Sequence, residues 1–187
     1  MKITAIMGSP RKNGVTSRIT RGFLEHAEAR GADIQAYYLN QMEFTGCQGC
    51  HSCKGGLDAC VLRDDLTPAL EDLVESDILV LASPIYFWDV TGQFKCFFDR
   101  TWSLVKPDYT TNSQPVRMAP GKKAVWISSQ GDKEEKFREV IDKYAGFMTM
   151  FGCETRSIRA FDMGDGPDQE IGPFLRQAKD MAEQLIP

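Results

Sequence analysis

Four of the six cysteines fall within one short stretch of the chain. Cys47, Cys50, Cys53 and Cys60 are separated by two, two and six residues. Three thiolates spaced by two residues suit three irons of one cubane, and the longer gap lets Cys60 reach the fourth iron. Glycines bend the backbone around this segment, at positions 46, 49, 55 and 56. The spacing predicts a 4Fe-4S site.

Other interpretations of the cysteine loop stay open. Four thiolates also bind zinc, although zinc ribbons and fingers usually pair two Cys-x-x-Cys segments across a longer span. A thiol or disulfide redox loop, or a loop without function, has the same composition. Cys96 and Cys153 fall on a predicted helix and at a predicted strand start, where buried thiols are ordinary, so they receive no role.

A second group of chemically capable residues follows the first predicted strand. The segment 8–17 reads GSPRKNGVTS and combines hydroxyls, an amide and cations. Free N–H groups at a helix start favour an anion; Ser9, Thr16 and Ser17 add hydroxyl donors, and Arg11 adds charge. The loop has neither the dinucleotide fingerprint nor the Walker pattern, so one terminal phosphate is predicted. A polar loop capped by Thr16 or Ser17 is the alternative.

A third group follows the most apolar run of the chain. Tyr86, Phe87 and Trp88 are consecutive aromatics where a polar loop is expected. An isoalloxazine ring needs such an apolar face and nearby backbone donors. An aromatic plug or a subunit interface would use the same residues. The segment 128–132 ends another predicted strand and forms a third wall, where Gln130 or backbone groups reach the ring; a simple turn is the alternative.

Short apolar runs alternate with amphipathic stretches, which is typical of βαβ units. Strands are predicted at 2–7, 33–39, 77–82, 122–128 and 153–161. Helices are predicted at 16–30, from Asp64 or Asp65 to 75, and at 92–104, 134–151 and 169–186. The pattern predicts an α/β fold, a doubly wound five-stranded parallel sheet with helices on both faces. Its ligand site lies beyond the carboxyl ends of the strands, where the cysteine loop is also expected.

Four segments resemble the NADPH-dependent FMN reductase family and its iron-sulfur flavoprotein branch. They are MKITAIMGSPRKNGVTSRI, the cysteine loop ending in DD, DILVLASPIYFWDVTGQFKCFFDR and KKAVWISSQGD, within about residues 1–155. The resemblance implies a flavodoxin-like fold, FMN as the cofactor, and a homodimer or homotetramer with the flavin near a subunit interface. It assigns the phosphate to Ser9, Arg11, Asn13, Thr16 and Ser17 and the ring to Pro84, Ile85, Tyr86 and Phe87. Gln130 and Gly131 are the residues predicted for the third wall from its position at a strand end. Phe97, Phe98, Asp99 and Arg100 match a segment beyond the flavin, whereas Trp88 is larger than the residue expected at its position.

These features predict an FMN-dependent oxidoreductase that takes electrons from NAD(P)H and passes them to a quinone, a flavin or another small acceptor. No catalytic side chain is required, because the flavin carries the chemistry. The alternative is an iron-sulfur flavoprotein that carries electrons from a ferredoxin-like donor. A flavin-binding regulatory or storage protein is a third interpretation.

Composition limits the remaining classes. The 187 residues suit one domain, 1–187, with a cysteine-rich loop at 40–63. The net charge is −4 and there is no basic run, so nucleic acid is not expected as a partner. The apolar start is too short for a signal or a membrane span, which predicts a cytoplasmic protein. A subunit interface is expected from helix 92–104 and the aromatics Tyr86, Phe87, Trp88, Phe94, Phe97 and Trp102.

Overall fold

A computed structural model describes residues 1–164, 166 and 169–187. The strands are β1 (Lys2–Met7), β2 (Asp33–Tyr38), β3 (Ile78–Ala82), β4 (Ile85–Tyr86), β5 (Asp89–Val90), β6 (Lys123–Ser129) and β7 (Glu154–Ala160). The helices are α1 (Val15–Ala29), α2 (Leu66–Glu75), α3 (Gly92–Arg100), α4 (Arg138–Met150) and α5 (Gly172–Leu185). Three short 3₁₀ helices span Leu39–Gln41, Ser52–Lys54 and Thr101–Leu104.

Five of the strands form one parallel sheet in the order β2-β1-β3-β6-β7. Counting only these strands, the order is 2-1-3-4-5, which is that of flavodoxin-like doubly wound sheets. β3 lies between β1 and β6, and all its residues are buried, as its continuous apolar run predicts. The predicted fold class is therefore confirmed.

Each face of the sheet packs against its own helices. Ile3 and Ala5 point into a core formed with α1 and α5, whereas Ile6 points into a core formed with α2, α3 and α4. This split follows from the two-residue period of a strand, which sends alternate side chains to opposite faces. A sheet covered on both faces leaves its carboxyl edge as the open place for a ligand.

Three predicted boundaries shift by three residues or more, and several others by one. The helix expected at 92–104 is α-helical only to Arg100 and continues as a 3₁₀ turn. The helix expected from 134 begins at Arg138, after Phe137 at a φ of 59°, because residues 133–136 form a turn. The last helix begins at Gly172, with a proline in its first turn, rather than at 169.

Two aromatics expected at a subunit interface lie in the core instead. Phe94 and Phe97 are fully buried. Phe94 meets Trp126 edge-on at a centroid distance of 5.3 Å and Tyr144 at 6.0 Å. The prediction of exposure was wrong for Phe94 and Phe97 because α3 turns this face toward the sheet and α4. Among the described residues, no helix has both the length and the apolar character needed to cross a membrane.

Candidate functional site

Four loops meet at the carboxyl edge of the sheet. Backbone hydrogen bonds link the strand ends there, from the Gly8 amide to Ala82 (2.7 Å) and from the Gln130 amide to Ala160 (2.9 Å). Two adjoining cavities of about 280 Å³ and 270 Å³ open between the loops and share Arg11 as a wall. Such a concave, preformed site at the switch point of a doubly wound sheet is where a cofactor binds.

The first cavity lies at the start of α1. Its walls are Arg11, Asn13, Gly14, Val15, Arg18, Gly164, Gly166 and Gln169. Gly14 precedes the helix, and no side chain caps the helix among the described residues. The first-turn N–H groups are therefore left for an anion, in a cavity that Arg11 also lines. The cavity combines a helix N-terminus with cationic and amide side chains, which suits a phosphate monoester.

Three predicted phosphate ligands do not line either cavity. The Ser9 and Ser17 hydroxyls both donate to the Arg11 carbonyl, at 3.2 Å and 2.9 Å, and so fix the loop that carries Arg11. Thr16 is buried and its hydroxyl lies 2.7 Å from the Ser129 hydroxyl. In this structure the three hydroxyls shape the loop, while Arg11 and Asn13 reach the cavity. Neither Thr16 nor Ser17 acts as the helix cap that the alternative required.

The second cavity lies against the aromatic loop. Its walls are Arg11, Val15, Pro84, Ile85, Tyr86, Phe87, Ser129, Gln130, Gly131, Met163 and Gly164. The four residues predicted to face the ring are all among them. Trp88 does not line the cavity; its ring turns to Phe137 at a centroid distance of 6.4 Å.

The aromatic loop is a two-strand hairpin whose turn is made by Phe87 and Trp88. Their φ angles are 43° and 68°, in the left-handed region, and their exposed fractions are 92% and 66%. Asp89 holds the hairpin on α4, because it accepts hydrogen bonds from Lys143 (2.7 Å) and Tyr144 (3.1 Å). Burial opposes ionisation of Asp89, but these bonds and the Lys143 charge outweigh it, so the pKa of Asp89 is lowered. The hairpin is thus anchored at its base and exposed at its tip.

The side chain of Gln130 is hydrogen-bonded within the third loop. Its side-chain amide donates to the carbonyls of Lys133 (2.7 Å) and Lys136 (3.1 Å). Its backbone N–H is already bonded to Ala160. Gln130 and Gly131 therefore contribute a wall of the cavity. The side-chain amide of Gln130 has no free N–H left to donate to a ring.

A fourth wall was missed by the sequence reasoning. Met163, Gly164, Gly166 and Gln169 follow β7 and line the cavities. The Gln169 side chain accepts from the Gly164 amide at 2.7 Å and so braces this wall. The signal was available, since β7 is parallel to the other strands and its carboxyl end must reach the same edge.

The four loop cysteines share a smaller cavity elsewhere. Cys47, Cys50, Cys53 and Cys60 all line a space of about 40 Å³. Cys53 is buried, Cys60 is half-buried, and the other two are exposed. Within the described part of the chain, no three His, Cys, Asp or Glu side chains are arranged around a common metal position. The structure thus gathers the four thiols around one cavity without showing a finished metal site.

Two cations lie close to the cysteine loop without lining this cavity. Lys54 donates to the Trp102 and Val105 carbonyls, each at 2.5 Å, and lies 4.2 Å from the Trp102 ring centre. Arg117 donates to the Cys53 carbonyl at 3.2 Å. Cysteines bind iron or zinc as thiolates, so the four-cysteine set becomes anionic on metal binding. Fixed positive charge nearby would stabilise that anionic state.

Arg100 and Asp64 form the buried ion pair of this region. Their closest contact is 2.8 Å, and the Arg100 side chain has no exposed surface. Burial opposes the charge on Arg100, but Asp64 and the Cys60 thiol outweigh it, so the pKa of Arg100 is raised. Burial likewise opposes ionisation of Asp64, yet the hydrogen bonds from Arg100 and the Thr45 amide lower its pKa. The neighbouring Asp99 is exposed and pairs with Lys95, away from both cavities.

The cysteine cavity shares no lining residue with the two cavities at the carboxyl edge. Gln93, near the start of α3, donates to the Gly8 carbonyl at the edge, whereas Arg100, at the other end of α3, lines the cysteine cavity. Along the axis of α3, Gln93 and Arg100 are separated by about 10 Å. The cysteine loop folds back along α3 because Arg100 binds the carbonyls of Thr45 and Leu62.

Known proteins resemble this chain in sequence and in fold. An iron-sulfur flavoprotein of Archaeoglobus fulgidus is 38% identical over 102 residues, which are 54% of this chain but only 45% of that protein. An iron-sulfur flavoprotein of Methanosarcina thermophila is 32% identical over 142 residues, 76% of this chain and 72% of that protein. The solved structure of the NAD(P)H:quinone oxidoreductase from Methanothermobacter marburgensis has the same fold, with a TM-score of 0.78 at 18% identity over 99% of this chain and 96% of that one.

One family description covers most of the sequence. The model of the NADPH-dependent FMN reductase family matches residues 1–155, from β1 into β7. The matched part contains the start of α1, the cysteine loop, the aromatic hairpin and the third wall. The chain therefore belongs to the NADPH-dependent FMN reductase family.

Proposed function

We propose that the protein is an FMN-dependent oxidoreductase that takes electrons from NAD(P)H and delivers them to a quinone, a flavin or another small acceptor. The pair of adjoining cavities at the carboxyl edge carries this proposal. One is cationic and begins at an uncapped helix, and the other is walled by an aromatic hairpin. FMN, when bound, supplies hydride acceptance and electron delivery, so the chain needs to bind, orient and shield it.

The residues divide that work between them. Arg11 and Asn13, with the first-turn N–H groups of α1, would hold the phosphate. The loop from Pro84 to Phe87 would give the ring an apolar face, and Gly131 would bound its other side. Ser9 and Ser17 would act through the loop, because they fix the backbone of Arg11.

Flavin binding and donor preference test this proposal directly. Fluorescence titration of the flavin-free protein should show tighter binding of FMN than of riboflavin, since only FMN offers a phosphate to the α1 cavity. Stopped-flow reduction of the FMN-loaded protein by NADPH and by NADH then measures hydride transfer, and a quinone or free flavin serves as acceptor. Equal affinity for riboflavin and FMN would refute the phosphate assignment. If neither NADPH nor NADH reduces the bound FMN, the proposed oxidoreductase activity is refuted.

The exposed hairpin tip supports a homodimer or homotetramer. Phe87 and Trp88 present two large apolar side chains to solvent, which is unusual for a surface that stays free. We place the subunit interface there, beside the second cavity. Light scattering at micromolar protein should give a multiple of the monomer mass; a monomer would refute this assignment.

A second candidate function is that of an iron-sulfur flavoprotein, an electron carrier for a ferredoxin-like donor. Its support is the cavity shared by Cys47, Cys50, Cys53 and Cys60, together with the fixed cations close to the cysteine loop. The names of the Archaeoglobus and Methanosarcina relatives agree with it. These four thiolates would hold a 4Fe-4S cluster, and the cytoplasm would keep all six free cysteines reduced.

Anaerobic purification separates the two candidates. Iron and acid-labile sulfide near four per chain, with rapid reduction by ferredoxin and slow reduction by NADPH, would support the carrier. If the chain contains no metal and NADPH reduces its bound FMN at the full rate, the cluster is refuted and the oxidoreductase remains as the function. Zinc in place of iron would assign the cysteines a structural role.

A further inference from the structure

Arg100 is the most deeply buried cation beside the cysteine loop. Its Nη1 donates to the Thr45 carbonyl at 2.9 Å and to Asp64 Oδ2 at 2.8 Å. Its Nη2 donates to the Leu62 carbonyl and to Asp64 Oδ1, at 3.3 Å and 3.2 Å. Thr45 precedes the first cysteine and Leu62 follows the last one. The guanidinium thus clamps both ends of the segment that carries the four thiols.

One donor of this guanidinium is left over. Arg100 Nε is buried and has no hydrogen-bond acceptor among the residues that the structure describes. Arg100 also lines the cavity that Cys60 and the other three cysteines share. A clamp needs only the two Nη groups. A buried N–H without a partner needs an acceptor, and the sulfur of a cysteine that ligates a metal cluster is such an acceptor.

We propose that Arg100 is a positioning residue for the cluster of the second candidate function, on which this inference rests. It holds the cysteine segment closed, it donates from Nε to the sulfur of Cys60, and its charge makes the cluster easier to reduce. Reduction adds one electron to an already anionic set of four thiolates, with the flavin or a ferredoxin-like donor as the reductant. A fixed cation favours the more negative state, and hydrogen bonds to the sulfurs act in the same direction.

Asp64 supplies an internal comparison, because it shares the clamp but has the opposite charge. If Arg100 and Asp64 only close the loop, their replacement should affect the cluster in the same way. If the charge of Arg100 sets the potential, Arg100→Gln should lower the potential, whereas Asp64→Asn should raise it by leaving Arg100 less neutralised. Arg100→Lys keeps the charge but loses Nε and the fork, so its shift should be smaller than that of Arg100→Gln.

The experiment uses the full chain, purified anaerobically and reconstituted with iron and sulfide, in wild type and in the Arg100→Gln, Arg100→Lys and Asp64→Asn variants. Iron and sulfide are counted, and a redox titration followed by electron paramagnetic resonance gives the cluster potential. For Arg100→Gln we expect at least a tenfold shift toward the oxidised cluster, which is 59 mV for one electron.

Each outcome decides. An Arg100→Gln cluster at the wild-type potential, or shifts of the same sign in the Gln and Asn variants, would overturn the inference. If the Arg100→Gln variant takes up no cluster, the other two variants decide: the cluster potential should be lower than wild type in Arg100→Lys and higher in Asp64→Asn. A wild-type chain that takes up no iron and sulfide would overturn both this inference and the cluster, and leave the FMN oxidoreductase standing.

Discussion

Replacing the tip of the aromatic hairpin, Phe87→Asn together with Trp88→Gly, should stabilise the isolated monomer. Both residues have positive φ angles, 43° and 68°, which cost an L-residue about 1–2 kcal/mol each. Asn-Gly is the preferred sequence for a two-residue turn of this kind. The variant loses edge contacts of Trp88 with Phe87 (5.0 Å) and Phe137 (6.4 Å), worth about 0.5–1.5 kcal/mol each. The net expectation is a gain of about 1 kcal/mol in the free energy of unfolding.

Urea unfolding of the flavin-free protein, at several protein concentrations, measures this gain and separates it from association. Phe87→Ala is the matched control, since it removes a ring but keeps the unfavourable φ. Light scattering of the same samples should show weaker association in the double variant. A double variant that is less stable than Phe87→Ala at the lowest concentration would refute the reasoning about backbone strain.

Three further predictions concern the other sites. Replacing Ser9 and Arg11 with Ala should raise the Kd for FMN about tenfold or more, because a hydrogen bond to a charged group contributes about 1.5–3 kcal/mol, and should leave the Kd for riboflavin nearly unchanged in fluorescence titration. Burial raises the pKa of Cys153 from 9.0 to about 11, so the stability this thiol contributes is complete below pH 9.0 and is lost as the pH rises through 11; Cys153→Ala should flatten that decline in urea unfolding. Cys50→Ser should remove iron and sulfide from anaerobically purified protein, by chemical assay, without lowering its FMN content.

The results that contradict these predictions are equally definite. Equal losses for FMN and riboflavin would show that Arg11 acts on the ring and not on the phosphate. An unchanged alkaline profile in Cys153→Ala would show that another group controls it. Iron retained in Cys50→Ser would remove that thiol from the ligand set.

The sheet could be predicted because its signal is local. Each buried strand is a short apolar run, and the run of β3 was the most continuous and is the most enclosed. The cofactor loops could be predicted by position, since parallel strands end at one edge. The same rule points to the wall at Met163 and Gly164, which follows β7 and was overlooked.

What sequence reasoning could not supply depends on contacts between distant residues. Thr16 turns to Ser129, across 113 positions of the chain, and no local pattern shows that partner. Phe94 was expected at the surface, but the direction in which α3 turns its aromatic face is set by α4 and the sheet. The position of the cysteine loop along α3 depends on Arg100, whose partners lie between 36 and 55 residues earlier in the chain.

The wall formed by Met163, Gly164, Gly166 and Gln169 sets an order of events during synthesis. It is translated after every other wall of the two cavities, and α5, which follows it, packs on α1. A nascent chain that has emerged only through β7 presents the helix start and the aromatic hairpin but cannot enclose a ligand. Enclosure of a ligand in either cavity therefore waits for this late segment, and a chain cut short before it would leave both cavities without their fourth wall.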